Sequence, residues 1–405
     1  MSDTPWFHDA RFGLFIHFGP YAVLERGEWV MNQEGMTPDE YAPAADALRA
    51  SPAQVRDWCR LARESGMRYA VLTTKHHDGF CLWDSRRCAF NAVRRGPGFD
   101  LVRVFTEACR AEGLRVGLYY SLADWTHPDG ARCAHDEAAR VRFTEYTRDL
   151  VRELCTGYGP LDLLWFDGPW PLDTAARWDS PRLLEEIRHL QPACLVNNRM
   201  GRGLEGDFGT PEGHIQAESR PWEACMTFNG DWGWSTAPDE DWRSPREVAR
   251  LLQSCAAQGG NLLLNIGPKP DGSVPPAAVE RLQRTGRWLQ IHGEACLGPK
   301  DRIAGRLPAI TNTGFWTLDG CTAWFWLARS WCSPTLALGG LRGTLREARL
   351  LHDPARRLTW DQSPLRTRIH GLPESNTEPE LGIPVLRLEF EEPPSQVLPY
   401  PGCAV

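Results

Sequence analysis

Leu161-Asp162-Leu163-Leu164-Trp165-Phe166-Asp167-Gly168 (LDLLWFDG) is the stretch on which the fold turns. Four of its first five residues are large and apolar, and the run stops at an acid followed by Gly. Continuous hydrophobicity without alternation reads as a strand covered on both faces, as in a parallel sheet, and such a strand delivers Asp167 at its C-terminal edge. Asp-Gly is also ordinary strand-ending turn chemistry, so the acid taken alone has a plain explanation. Its neighbours decide which reading applies.

The same texture recurs on both sides. Residues 11–19 (RFGLFIHFG), 68–74 (RYAVLTT), 114–122 (LRVGLYYSL), 194–198 (CLVNN), 222–229 (WEACMTFN) and 261–267 (NLLLNIG) all read as apolar strands. Helical patterns separate them. In residues 52–65, Val55, Trp58, Leu61 and Ala62 share one face, and Gly66 closes the helix. Further helices are expected near 101–112, 136–158 and 181–190, then from the Ser244-Pro245 start and from Pro275-Pro276 to 290. Strand and helix therefore alternate about seven times before residue 295, the signature of parallel βα units. The count and length predict a (β/α)8-like TIM-type barrel rather than an open doubly wound sheet, and no GxGxxG follows the first strand. Beyond residue 298 short strand-like runs such as TAWFWL (322–327) and VLRLEF (385–390) follow one another without long helices. That predicts an antiparallel β-sandwich. The expected domains are a catalytic barrel over 1–298 and a sandwich over 299–405.

Composition narrows the function classes. At 405 residues, 42% hydrophobic and 24% charged, the chain is an ordinary globular protein with room for a barrel and a smaller module. A net charge of −7 and the lack of a basic run argue against nucleic acid as a partner. The start, MSDTPWFH, has neither the basic nor the apolar region of a signal peptide, and no apolar run reaches membrane-spanning length. The 13 cysteines are odd in number and form no CxxC pair, so neither a metal framework nor a disulfide scaffold is expected, and the reading is cytoplasmic and reduced. The chain carries 18 Trp. Aromatic rings stack on the apolar faces of sugars, which points toward carbohydrate.

The polar residues fall at the strand ends. His17 follows the first strand, His76 and His77 the second, Tyr119 ends the third, Asp167 the fourth, and Arg199 follows the fifth. In a barrel these ends meet at the C-terminal face, where active sites sit. A metal site of His17, His76, His77 and Asp167 is conceivable, but no HxH pair is present, and adjacent His76 and His77 on an extended chain point to opposite sides. Glycoside chemistry instead needs two carboxylates flanking the scissile bond. Asp167 suits the nucleophile, with Gly168 leaving space beside it. Its partner is either Glu212, on a Gly- and Pro-rich loop able to reach over a pocket, or Glu223, inside a strand-like run and equally readable as a residue of the barrel wall.

These stretches resemble the α-L-fucosidases of glycoside hydrolase family 29. The motifs are RFGLFIHFG, GEWVM, TTKHHDGFCLWDS, GLYYSLADW, LWFDG, LVNNR, GDFGTPE, WEACMT and GGNLLLNIGP-x-PDG, in the family's order over the first three-quarters of the chain. KHHDGF followed by LWFDG is the specific combination. The resemblance implies a retaining exo-acting enzyme that removes terminal α-L-fucosyl residues from glycans, with Asp167 as nucleophile and no cofactor. It implies that Glu212, in the Thr-Pro-Glu of GDFGTPE, is the acid/base. It also implies that His17, His76, His77, Tyr119, Trp165 and Arg199 hold the fucose ring, that Glu28 and Trp29 reach it from a loop, and that Phe15 meets the C6 methyl. The chain departs from the family's pattern at Phe18, where Trp is usual, and at Gly230-Asp231-Trp232-Gly233-Trp234, where Ser-Trp-Gly-Tyr is usual; the second departure bears on the leaving group. Two rivals stand beside this reading: a glycosidase for a related sugar such as α-L-galactose, and a fucose-binding barrel without activity.

Overall fold

The computed structural model describes residues 5–236, 241–303, 305–308, 311, 313–327 and 333–397. Seven strands form one sheet: β1 (Phe12–Ile16), β2 (Tyr69–Lys75), β3 (Arg115–Ser121), β4 (Leu163–Asp167), β5 (Leu195–Val196), β6 (Glu223–Met226) and β7 (Asn261–Ile266). Their order is β5-β4-β3-β2-β1-β7-β6, and the pairs β1–β2, β2–β3, β3–β4 and β4–β5 are parallel. Every residue of β1, β2 and β7 is buried, as continuous hydrophobic strands require when helices cover the outer face. Each leucine of β7 removed from water contributes about 1.5–3 kcal/mol. Space inside is tight. A Cβ on Gly13 would lie 2.3 Å from the ring of Tyr69, its partner across β1 and β2.

The predicted helices form at Pro52–Glu64, Leu101–Ala111, Glu137–Gly157, Ser180–Leu190, Pro245–Ala257 and Pro276–His292. Their starts are chemically marked. Asp100 caps the second by accepting from the Arg103 backbone N–H, and Ser244 with Glu247 forms a reciprocal capping box on the fifth. No helix among the described residues is long and apolar enough to cross a membrane.

The sheet has β5 and β6 at its two ends, and the segment expected as a Gly-rich loop joins them. Asp207 N–H donates to Val196 O at 2.7 Å, and single parallel bridges pair Asn197 with Phe208, Gly209 with Trp222 and Glu212 with Cys225. Cys225 N–H donates to Pro211 O, and Gly213 N–H to Cys225 O, each at 3.0 Å. Residues 207–213 thus fill the eighth barrel position as an irregular strand, and Glu212 emerges near its end. Gly209 and Pro211 erase the apolar run that would have marked it as a strand.

The strand-rich C-terminal segment forms three antiparallel sheets. The largest runs in the order Leu345–Leu350, Val385–Phe390, Thr322–Leu327, Gly314–Asp319, and a second in the order Thr335–Gly339, Arg366–His370, Thr359–Ser363. Leu341–Arg342 pairs with Ser395–Gln396. Phe325, Leu386 and Leu388 of the first sheet share one apolar core with Leu336, Leu338 and Ile369 of the second, which makes the pair a sandwich. The described residues divide into two compact units, one within Phe12–Arg243 with Leu263–Glu280, the other of Pro5–Arg11 and Ser244–Leu262 with the described residues from Arg281 onward. The fifth predicted helix therefore groups with the C-terminal strands. Inside that unit its Gln253 side chain donates to Trp316 O at 2.8 Å in a buried hydrogen bond.

Candidate active site

A pocket of about 130 Å³ opens at the C-terminal ends of the strands, and Phe15, His17, Glu28, Trp29, His76, His77, Tyr119, Trp165, Asp167, Arg199 and Glu212 all line it. Each sequence-predicted site residue is therefore brought to one place. Trp170, Cys225 and Trp232 line it as well, none of them a sequence-predicted site residue. Trp170 lies three residues past Asp167, and Trp232 sits in the stretch that departs from the family's pattern; that departure was the available signal.

Asp167 ends β4 with its side chain 18% exposed. Tyr119 O–H donates to Oδ2 at 3.1 Å, Arg199 Nη1 donates to Oδ1 at 3.1 Å, and His77 Nε2 stands 3.9 Å from Oδ2. Burial pushes this carboxyl up, but the Arg199 cation, with the Gly168 N–H, outweighs it, and the net shift is downward. Gly168 has φ +62°, and a Cβ there would lie 3.0 Å from both His77 Nδ1 and Ser121 Oγ, so only glycine leaves the histidine its place.

Arg199 organises both carboxylates. Its Nη1 that reaches Asp167 also donates to Glu212 Oε2 at 2.8 Å. One nitrogen serving both brings those two oxygens within about 6 Å of each other, close to the ~5–5.5 Å of a double-displacement pair and short of the ~6.5–9.5 Å of an inverting pair. Thr210 anchors the guanidinium, with Nε donating to its Oγ1 and Nη2 to its O, both at 2.9 Å. The guanidinium carbon sits 4.7 Å from the Trp165 ring centroid. Burial pulls the Arg199 pKa down, but Asp167 and then Glu212 among its neighbours carry it above its ordinary value, so the cation is secure.

The histidines are neutral ring donors and acceptors. Burial pushes His17 down to about 3, His77 to about 4, and His76 well below its ordinary range. His17 Nδ1 meets Asn265 Oδ1 at 2.7 Å, and Asn265 Nδ2 donates to Trp232 O at 2.7 Å, which orients the amide. The proton is thus on His17 Nδ1. Ser121 O–H donates to Ala123 O at 2.9 Å, so the 2.7 Å contact between Ser121 Oγ and His77 Nδ1 puts that proton on the histidine as well. Both rings keep Nε2 as an acceptor. The expectation that His76 and His77 point apart is corrected: β2 ends at Lys75 after a register irregularity, alternation no longer applies, and the two rings lie 4.0 Å apart on one pocket. Among the described residues no group of three or more His, Cys, Asp or Glu is arranged to hold a metal ion.

Aromatic rings form the remaining wall. Phe15 packs at 5.1 Å from Trp165 and 5.8 Å from Trp232. Glu28 is 6% exposed and accepts the Gly233 N–H at 2.8 Å, so it straps the Trp232 loop to the pocket, and burial raises its pKa. Glu223, the other acid/base candidate, is fully buried outside the pocket lining. It accepts from Trp165 Nε1 at 2.7 Å and Tyr69 O–H at 2.5 Å, and burial lifts it to about 7. Its two oxygens are committed to the wall.

Comparison with known proteins gives this geometry a family. A family model described as Alpha-L-fucosidase matches residues 2–294. The tissue alpha-L-fucosidase of Rattus norvegicus is 33% identical over 335 residues, covering 73% of this chain and 70% of that protein. The Homo sapiens tissue alpha-L-fucosidase is 32% identical over 331 residues, covering 73% and 69%. Alpha-L-fucosidase isoenzyme 1 from Paenibacillus thiaminolyticus superposes with a TM-score of 0.87 at 33% identity, over 96% of this chain and 99% of that one. The Thermotoga maritima alpha-fucosidase gives 0.79 at 28% identity, over 94% and 96%. Agreement of this extent, carried by the barrel that holds the pocket, makes the chain a member of the alpha-L-fucosidase family of glycoside hydrolases, and its reaction the hydrolysis of fucosyl linkages.

Proposed function

We propose that the chain is a retaining, exo-acting α-L-fucosidase in which Asp167 is the nucleophile and Glu212 the acid/base. The observation that carries this is the single Arg199 nitrogen shared by the two carboxylates. Asp167, kept ionised by Arg199 against its burial, attacks the anomeric carbon. Glu212 gives its proton to the leaving oxygen, and a fucosyl ester of Asp167 forms as the glycosidic bond breaks. Glu212 then takes a proton from water, which attacks the same carbon and releases fucose with Asp167 ionised again.

Ring recognition follows from the neutral wall. His17 and His77 each turn an acceptor toward hydroxyls, while Phe15 and Trp165 offer an apolar patch for the C6 methyl. A sugar with a C6 hydroxyl, such as α-L-galactose, must desolvate that group against carbon. The pocket's volume suits one ring, which supports exo action on a fucosylated oligosaccharide or glycoconjugate. The described cysteines are all free, which supports a reducing, intracellular setting as part of the proposal. The 299–405 sandwich as a separate domain is likewise a proposal, tested by limited proteolysis for a cut near residue 298.

Proton NMR of the first-formed fucose tests the mechanism: the α anomer is expected, and the β anomer sinks it. Asp167→Ala should lose aryl α-L-fucoside hydrolysis. Glu212→Ala should keep much of its fucosylation rate with an activated aryl leaving group and be accelerated by azide. If Glu223→Ala shows that pattern instead, Glu212 is not the acid/base.

A further inference from the structure

Of the residues lining the sugar pocket, Glu212 and Trp170 are the exposed ones, so they border the mouth through which a leaving group must pass. Trp170 is 37% exposed and is also a wall of a second cavity of about 420 Å³, together with Met31, Met36, Trp125 and Pro171. The two spaces are joined by rings: Trp29 of the pocket stacks on Trp170 at 5.9 Å and packs on Trp125 at 5.2 Å. The second cavity has about three times the volume of the one-ring pocket.

Its chemistry is uncharged. None of the described residues lining it is a lysine or arginine. Its one acid, Asp124, spends Oδ1 on Thr126 N, Thr126 Oγ1 and His127 N, and pairs Oδ2 with Lys75 at 3.5 Å. His127 Nδ1 accepts the Asp129 N–H, and burial pulls its pKa down. What remains is tryptophan, methionine and proline facing a groove beside the scissile bond.

We propose that this groove is the leaving-group site, built to take two to three units of a neutral oligosaccharide whose apolar faces stack on Trp170 and Trp125. The inference rests on the fucosidase reading of the adjoining pocket and names the substrate class that reading leaves open. The enzyme is thus directed to fucose borne on an extended neutral chain, with the recognition energy for that chain collected outside the catalytic pocket.

The test compares kcat/KM of the full-length enzyme for 4-nitrophenyl α-L-fucoside, a fucosyl disaccharide, a neutral fucosylated tetrasaccharide and its sulfated counterpart. Wild type should gain about tenfold from disaccharide to neutral tetrasaccharide, the worth of one or two ring stacks, mostly through KM, and should lose the gain with sulfate. Ala131→Trp, which fills the groove from an exposed position in its lining, and Met36→Lys should abolish the gain while leaving the aryl fucoside unchanged. Length-independent kcat/KM in wild type, a fall with both substrate classes in both variants, or preference for a long alkyl leaving group over the tetrasaccharide would each overturn the proposal. A wild type inert toward the aryl fucoside would defeat the fucosidase reading itself, so the two failures are distinguishable.

Discussion

Replacing Glu223 with Gln isolates what a buried carboxyl beneath the pocket does. An ordinary glutamate titrates near 4.5, and burial lifts Glu223 to about 7 despite hydrogen bonds from Tyr69 and Trp165. At about 1.4 kcal/mol for each tenfold change, that gap is worth on the order of 3 kcal/mol. Between the two values the folded protein holds a proton that the unfolded chain has released. Stability therefore falls as pH rises from about 4.5 to about 7 and is level above. Gln has no such proton, and its amide still accepts from Trp165. The stability difference between wild type and Glu223→Gln should thus move by about 2–3 kcal/mol against wild type between pH 5 and pH 8. Urea denaturation midpoints at four pH values in that range, on the intact chain, measure it. Parallel midpoint curves would refute the reasoning, because they would mean the carboxyl is already ionised in the fold. The same variant should keep azide-independent turnover of an aryl fucoside, since Glu223 faces the wall and not the pocket.

Arg199→Lys should cut kcat/KM by about a hundredfold, the loss of a charge-assisted contact worth ~1.5–3 kcal/mol. Because Arg199 holds Asp167 down, the acid limb of the pH–rate profile should move to higher pH, and an unmoved limb would contradict the pairing. Ser121→Ala removes the group that takes the His77 Nδ1 proton, with an expected loss of roughly 5- to 30-fold in kcat/KM for one buried hydrogen bond. Ser121→Thr should restore most of it; equal damage in both would make Ser121 a packing residue only. Gly13→Ala drives a methyl into the Tyr69 ring and should lower stability by about 1–3 kcal/mol or more, read as a shifted urea midpoint.

The barrel was legible wherever a strand was continuously apolar and ended in a polar residue. β1, β2, β3 and β4 have this form, and the positions of His17, Tyr119 and Asp167 followed from it; β7 shares the apolar run but ends at Ile266 before Gly267. β5 keeps only Leu195–Val196, yet Asn197 continues its pairing through the side chain, with Oδ1 accepting from Phe166 N and Nδ2 donating to Phe166 O. That substitution of amide for backbone leaves no hydrophobic signature. The eighth position escaped for a related reason, since Gly209 and Pro211 interrupt its apolar run and only single bridges tie it to its neighbours. Trp170 and Trp232 escaped because loops bring them in, and no periodicity encodes where a loop ends. The choice between Glu212 and Glu223 needed geometry outright: both sit near strand-like backbone, and only burial and partners separate them.

The ring of strands is not equally strong all round. Asp167 stands on a strand paired along its length with β3, whereas Glu212 stands on residues 207–213, tied to their neighbours by single bridges. This is a seam, and it carries one of the two carboxylates. Amide exchange should open there first, and opening that begins beyond Thr210, the anchor of Arg199, should cost leaving-group protonation before fucosyl transfer to Asp167. Close to the melting range an aryl fucoside that needs no proton would still be cleaved while a natural glycan would not. Insertions placed after Thr210, which leave the Arg199 anchor intact, would then tune leaving-group preference without disturbing the carboxylate that forms the ester.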